Sequence, residues 1–346
     1  MQIGVVKMPT MKDVAKKAGV SLGTVSRVIN HASGIKPATL AKVQQAIEEL
    51  NYIPDQYARG LKIQRSMTIA LMVPTIWNSF NAEFAYHVEK ALDQQGYKML
   101  LCDYDADPKR ELDYIQMVKE NKIDAIIGIS YGDIDKYVDS RLPFISIDRY
   151  YKQRVSYVAS QNYEGGRMAA AELLKHGARH LAFVGSYNQY PNDTRRRYEG
   201  FCDYLKEREL PILAIRELEP VASFFPLLDQ LFDQHPEIDG LFCNTDTLLY
   251  DVWRWSFARG IVVPQQLQLV GYDGMRQTEH QRLPVSTIAQ PIKAMAEMAV
   301  KLALDKLENP MMKEKHIFFP VKFVEGFTTK NNRSQDWDKL LKDPMP

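Results

Sequence analysis

The chain of 346 residues is poor in the features that mark several protein classes. It has three cysteines, Cys102, Cys202 and Cys243, so far apart that no zinc or redox spacing exists among them. Its seven histidines form no H-E-x-x-H pair, which speaks against a metal site. Ser130 and Ser186 lie in no G-x-S-x-G elbow, and no other acid–base or nucleophile motif marks the chain as an enzyme. Gly165-Gly166 opens a helical stretch without making a phosphate loop, and close helix packing is the simpler role. No apolar run approaches the roughly 18 residues of a membrane span. The N-terminus lacks a secretory apolar region, so the expected location is the cytoplasm. Met8 and Met11 are alternative starts.

Net charge is also scarce, at only +1, but it is unevenly spread. Residues 1–62 hold nine Lys/Arg against four acids, whereas the rest of the chain holds 35 basic and 39 acidic residues. A basic head on a mildly acidic body implicates DNA at one end only.

That head contains T-M-K-D-V-A-K-K-A-G-V-S-L-G-T-V-S-R-V-I-N from Thr10 to Asn30. Val14, Ala15 and Ala18 recur at helical spacing, Thr10 suits an N-cap, and Asp13 places a negative charge in the first turn. Gly19 can take the left-handed conformation that ends a helix, and Ser21 can cap the next. On that second helix Thr24, Ser26, Arg27 and Asn30 carry side chains suited to phosphates and base edges, while Val25, Val28 and Ile29 turn toward a core. Pro37 suits the first turn of a third helix striped by Leu40, Val43, Ile47 and Leu50. The segment D-Q-Y-A-R-G-L-K (55–62) is too short to hold a helix alone, since about 12 residues are needed. It is either a linker or a segment that orders on binding.

The pattern D-V-A-x-x-A-G-V-S-x-x-T-V-S-R-V-I-N, followed by T-x-x-K-V-x-x-A-I-x-E-L-N-Y-I-P and A-R-G-L, resembles the lactose/galactose repressor family of bacterial transcription regulators. The resemblance implies a helix-turn-helix headpiece and a hinge helix, containing Arg59, that inserts Leu61 into the minor groove. It places base reading on Leu22, Gly23 and Arg27, and phosphate contacts on Ser21, Thr24, Ser26, Asn30, Thr39 and Tyr52. Three positions depart from the family. Gly23 offers no side chain, Lys36 replaces a capping serine, and Leu40 replaces an arginine.

From Met67 apolar strands alternate with amphipathic helices: strands at 69–74, 99–102, 125–129 and 143–147, with helices at 82–96 and 111–121. The rhythm restarts after Gly177 with strands at 181–185, 240–243 and 267–271 and helices from Thr194 and Leu248. Such alternation means parallel sheets covered on both faces. Two series predict two doubly wound α/β subdomains with a cleft between them. The same region resembles the family's effector-binding core, built like a periplasmic sugar-binding protein, and the likeness covers nearly the whole chain beyond residue 10. The expected domains are a small all-α headpiece at 1–54, a hinge at 55–66, a core at 67–332 and a tail at 333–346. Within the core, one subdomain spans about 67–176 and 291–322, the other about 177–290 and 323–332.

In doubly wound sheets ligands sit beyond the carboxyl ends of the strands. Asp148, Arg195, Arg197, Thr245 and Asp273 all follow strands there. Carboxylates accept hydroxyl hydrogens and a guanidinium donates to oxygens, which suits a polyhydroxylated ligand. The family places effector contacts at positions matching Asp148, Arg195, Thr245, Asp273 and Gln290, and Thr245 departs from the common asparagine. Trp77 and Phe80, in the loop after the first strand, can stack on a sugar face or form a hydrophobic rim. For Asp273 a turn cap between Gly271 and Gly274 is the rival role, and Asp148 with Arg149 can be a surface pair.

The resulting expectation is a homodimeric repressor of carbohydrate-utilisation genes that binds a pseudo-palindromic DNA operator. Its control comes from a sugar or sugar-phosphate effector, without a cofactor, metal or membrane. The tail carries only Leu340 and Leu341, far short of the heptads a tetramerisation bundle needs. A regulator whose core senses a partner protein is the alternative. A cytoplasmic sugar-binding protein or enzyme is a more distant one.

Overall fold

The computed structural model describes residues 9–29, 32–52, 65–120, 122–138, 142–151, 155–190, 192–276 and 284–330. The chain divides into two compact units, 1–66 and 67–346. Asn30, Arg59, Leu61 and the expected tail 333–346 lie outside the described residues, as does nearly all of the expected hinge.

The first unit holds α1 (Met11–Ala18), α2 (Leu22–Ile29) and α3 (Pro37–Glu49). The Asp13 carboxylate accepts from both the backbone N–H of Thr10 (2.8 Å) and its hydroxyl (2.7 Å), fixing the start of α1. Gly19 ends it at φ 65°, a conformation that penalises any Cβ. Thr24 N–H then donates to Ser21 Oγ at 3.2 Å to cap α2. Pro37 opens α3, where its missing N–H costs nothing. Val14, Val25 and Val43, one from each helix, are fully buried. Burying each contributes about 1.5–3 kcal/mol, which three helices this short need in order to persist.

The second unit runs β1 (Thr68–Val73), α4 (Ser79–Asp93), β2 (Lys98–Asp103), α5 (Pro108–Lys119), β3 (Ala125–Gly128), β4 (Phe144–Ile147) and β5 (Ser156–Ser160). It continues with α6 (Asn162–Lys175), β6 (Leu181–Tyr187), α7 (Arg195–Lys206), β7 (Leu213–Leu218), α8 (Phe225–Gln234), β8 (Gly240–Cys243), α9 (Asp246–Ala258) and β9 (Gln268–Asp273). β10 (Thr287–Ala289), α10 (Ile292–Glu308), β11 (His316–Phe319) and β12 (Lys322–Val324) complete it. The strands form two six-stranded sheets, ordered β11-β5-β4-β3-β1-β2 and β12-β10-β9-β8-β6-β7. Among the described residues every pairing is parallel except β10 with β12. Helices on both faces leave the central strands almost wholly apolar, as in β3 and β8, buried along their whole length.

The chain crosses between subdomains three times. The first crossing falls at Gln161, between β5 and α6, whereas the sequence rhythm puts it near residue 176. The reason is packing: Ala169, Ala170 and Leu173 of α6 are buried with Leu181, Phe183 and Tyr272 of the second subdomain. The other crossings lie between β10 and α10 and between β11 and β12.

α6 and α7 pack with almost no gap. A Cβ on Gly166 would overlap the carbonyl oxygen of Arg197, and one on Gly200 would overlap that of Tyr163. This close approach sets Asn162, at the start of α6, beside Arg197, at the start of α7.

Candidate functional site

On the first unit, α2 presents one polar face. Leu22 is 43% exposed, Gly23 and Arg27 are exposed, and Thr24 and Ser26 are half-buried. Ser21 Oγ and Thr24 Oγ1 share a hydrogen bond of 2.9 Å. Arg27 donates from Nη2 to the Ser33 carbonyl at 2.9 Å, which steadies the guanidinium along the α2–α3 connection. Thr39 is half-buried in the first turn of α3. Tyr52 differs from the others, being 7% exposed within the headpiece core, so its ring serves packing. The exposed face joins short hydroxyls to a guanidinium, the equipment for phosphate and guanine contacts.

The second site is assembled between the two sheets. Asp148 follows β4 in the first subdomain, while Asp273 ends β9 in the second. Arg197 lies between them. Its Nη1 donates to Asp273 Oδ1 at 3.4 Å and to the Asn244 carbonyl at 2.7 Å, and its Nε donates to Asn162 Oδ1 at 2.7 Å. Asn162 in turn donates from Nδ2 to Asp148 Oδ1 at 3.3 Å, so one amide joins the two subdomains' charged groups. Beneath the guanidinium lies the Tyr272 ring, 3.7 Å from the ring centroid. Gln290 donates from Nε2 to Asp273 Oδ1 at 2.8 Å and leaves Oε1 buried without a partner among the described residues. A second bridge runs alongside: the Asp193 N–H donates to the Asp148 carbonyl at 2.8 Å, and Tyr157 donates its phenol to the Asp193 carboxylate.

Both carboxylates sit on strained backbone, with φ 51° at Asp148 and φ 113° at Asp273. Such φ values in residues with a Cβ cost about 1–3 kcal/mol and persist where the surroundings over-determine them. Burial pushes the Asp148 carboxyl up to about 7 against the pull of Arg197. It pushes Asp273 up to about 6, opposed by Arg197 and Gln290. Two buried carboxyls sharing one guanidinium are therefore poised near neutrality, and hydroxyl donors entering the cleft favour their charged form.

Other expected residues take different roles. Phe80 is not in a loop. It lies in the first turn of α4, is 8% exposed, and stacks on Phe84 with centroids 5.8 Å apart. The expected loop residue is a core residue because the helix starts at Ser79, capped by Asn78, three residues before the apolar periodicity suggests. Trp77 is 94% exposed. Arg195 donates to the Asn188 carbonyl and lies over Tyr187, while Thr245 uses its hydroxyl oxygen to cap α9 through Leu248 N–H at 3.2 Å. Arg149 does not pair with Asp148 at the surface. It is 3% exposed and donates to the Ser130 and Gly132 carbonyls.

Asn162, Asn244 and Tyr272 escaped sequence reasoning, whereas Asp246, like Thr245, stands at the strand end after 240–243 and only its part in the site was not legible. Asp246 is fully buried and accepts from Gly274 N–H (2.9 Å) and Met275 N–H (2.7 Å), shaping the turn that carries Asp273. Its signal was Gly271, where a Cβ would overlap the Asp246 carboxylate. Burial pushes this carboxyl up to about 8, with Asp273 adding to the effect.

Comparison with known proteins follows the same division. Residues 10–55 match the family model described as bacterial regulatory proteins, lacI family, and residues 170–329 match a periplasmic binding protein-like domain. A sucrose operon repressor of Pediococcus pentosaceus is 34% identical over 330 residues, covering 92% of this chain and 99% of the repressor. A ribose operon repressor of Halalkalibacterium halodurans is 31% identical over 331 residues, covering 95% and 99%. In fold, the lac repressor dimer bound to operator and the anti-inducer ONPF superposes with a TM-score of 0.80 at 22% identity, over 94% of this chain and 100% of that one. With a helix-turn-helix headpiece on a two-sheet core, and likeness along almost its whole length, the chain belongs to the lacI family of bacterial regulatory proteins and is a DNA-binding transcriptional repressor.

Proposed function

We propose that the protein represses carbohydrate-utilisation genes under the control of a neutral sugar bound between its two sheets. The observation that carries this reading is the convergence of Asp148, Arg197 and Asp273, from both subdomains, at the carboxyl ends of the strands. Carboxylates accept sugar hydroxyls and a guanidinium donates to ring or hydroxyl oxygens, while the acids disfavour an anion in the same place. The names of the sucrose and ribose operon repressors support the sugar class.

A ligand held by both subdomains favours the closed cleft, and only that difference in affinity between states moves the equilibrium. On the DNA side, Leu22, Gly23 and Arg27 read bases and Ser21, Thr24, Ser26, Asn30 and Thr39 bind phosphates. Leu61 wedges the minor groove beside Arg59. Reading a two-fold operator takes two headpieces, which an isologous homodimer supplies. The domain division is a headpiece to residue 54, a hinge to 66 and the core beyond it.

Calorimetry of the full chain with sucrose, ribose and cellobiose, paired with operator shifts, tests the reading. Losing a hydrogen bond to a charged group costs about 1.5–3 kcal/mol, so Asp273→Asn should weaken the bound sugar by at least tenfold and leave ligand-free operator binding intact. Unchanged sugar affinity in that variant places the effector elsewhere.

A further inference from the structure

The second sheet carries a cavity at the end opposite the cleft. It holds about 160 Å³ beside the amino ends of β6 and β7. Leu181, Leu205, Leu210 and Leu213 line it, and Arg179, His180, His235 and Glu237 stand around them. Nothing in the operator-binding or cleft reading uses it.

Three observations define what fits there. The first is size and lining. The volume is close to that of the apolar cavity, about 150 Å³, that takes a benzene ring, so the space suits one aromatic side chain. Leu181 and Leu205 are buried and Leu210 and Leu213 half-buried, which makes the inner wall aliphatic. The second is charge. The exposed Arg179 guanidinium forms no ion pair among the described residues, while the carboxylate of Glu237 is engaged by His235 at 3.1 Å. The third is where the described chain stops. Lys330 N–H donates to Gln268 Oε1 at 2.8 Å, and Gln268 N–H donates to the Asp239 carbonyl at 2.9 Å. The Asp239 carboxylate in turn accepts from the backbone N–H groups of Arg179 and His180, at 2.8 Å each. Residue 330 thus lies at the start of β9, and β6 is two strands away across β8, about 10 Å.

Residues 331–346 lie outside the described residues, and their sequence supplies a single aromatic ring. It belongs to Trp337 in D-W-D-K-L-L, with Asp336 and Asp338 beside it and Leu340 and Leu341 three and four positions on. That is the spacing of one helix face. Seven residues reach at most about 23–25 Å from Lys330, ample for the distance to the cavity. We infer that this segment of the chain docks on the second subdomain, with Trp337 in the cavity and Asp336 and Asp338 facing Arg179. Tethering favours this occupant over any free one. A segment held so close is present at an effective concentration in the millimolar range, so even a weak contact stays filled. The tail then closes the amino end of the second sheet, as the cleft ligand occupies the other end. The inference goes beyond the cleft reading and does not depend on it.

The fluorescence of Trp337 tests it, read in the full chain as the difference between the unaltered protein and Trp337→Phe. Trp337 should emit to the blue of the free peptide of residues 331–346, and acrylamide should quench it at least threefold less. The double variant Arg179→Glu/Leu210→Asp, paired with its own Trp337→Phe form, should give up that shielding and keep operator binding. Arg179→Glu alone, exposed and so neutral to the fold, should raise the quenching of Trp337 about twofold. Mixed dimers of a Trp337→Phe chain and an Arg179→Glu/Leu210→Asp chain decide whose tail is bound. The remaining Trp337 then belongs to the chain with the altered cavity, and it should be exposed. Shielding in the mixed dimer would mean that the tail of a second copy fills the cavity, and the assignment to the chain's own tail would fall. Trp337 quenched as freely in the unaltered protein as in the peptide overturns the inference, and so does shielding that survives the cavity substitutions.

Discussion

The two sites of this protein are built on opposite plans. The DNA-facing residues that the structure describes on α2 lie within seven consecutive positions, 21 to 27, and are exposed or half-buried. The cleft residues Asp148, Asn162, Arg197, Asp273 and Gln290 come from five separate stretches and are all at least nine-tenths buried. One plan frees the site from the fold, so its residues can change with only the operator noticing. The other makes the site part of the fold, so its residues answer for stability and binding together.

The strongest way to break that contrast is to add a Cβ in each place. Gly200→Val should prevent α6 and α7 from meeting and abolish a cooperative melting transition of the core, because the clash is with backbone that cannot rotate away. Gly23→Ala meets only Ser21 Oγ, at 3.8 Å, and should raise headpiece stability by about 0.5–1 kcal/mol through helix propensity. A folded Gly200→Val core, seen by differential scanning calorimetry, would show that the close helix contact is dispensable.

Next in size is Arg197→Ala. It leaves the buried Asp148 and Asp273 without their shared cation, and breaking a buried pair in this way typically costs about 3–5 kcal/mol. The core should melt well below the unaltered protein and lose sugar binding. A melting point unchanged by the substitution would mean that water compensates the carboxylates as well as Arg197 does. Arg27→Ala should do the reverse, leaving stability alone. It should cost about 1–3 kcal/mol of operator affinity at one base pair, read by titrating single-base operator variants. An equal loss on every sequence would assign Arg27 to phosphate.

A further effect is in pH. Asp148, Asp273 and Asp246 all have carboxyls raised by burial, to about 7, 6 and 8. The native core therefore holds protons that the unfolded chain, with carboxyls near 4, has already lost. Stability contributed by these groups must fall as pH rises from about 4 and level off above about 8. The ligand-free core should melt lower at pH 8.5 than at pH 6, and Asp246→Asn should flatten the upper part of the slope. A melting temperature that climbs across this range would contradict the assignment of uncompensated burial.

The same contrast explains what could be read from the residues alone. A site within one helix leaves its signature in consecutive letters, so α2 and its caps were legible from Thr10 onward. The two doubly wound sheets were legible too, because buried parallel strands are short apolar runs between helices. The cleft was legible only by type and position: acids and arginines at strand ends pointed to Asp148, Arg197 and Asp273. Which arginine of Arg195-Arg196-Arg197 turns inward depends on the phase of α7, set by Gly200 against α6 from another part of the chain. Asn162 is not legible because the strand before it, S-Y-V-A-S, sets only three apolar residues between two serines and makes no clear apolar run, which also displaces the first crossing. Phe80 was misplaced because Asn78 caps α4 before its apolar stripe begins, a choice made by one side-chain hydrogen bond of 3.2 Å.

The threefold crossing of the chain also dictates an order of assembly on the ribosome. The first sheet is laid down early, yet one face of it is covered by α10, whose Met295, Ala296 and Ala299 pack in one buried cluster with Ile69, Leu71, Ile127 and Ile145. Its last strand, β11, arrives later still. Until residues near 320 have emerged, the growing chain carries a sheet with an open edge and an apolar face that α4 covers only in part, the kind of surface that aggregates or recruits chaperones. A headpiece able to bury its own small core can be finished hundreds of residues earlier. Translation that stops short of α10 thus yields a folded DNA-reading end tethered to a sticky, incomplete core.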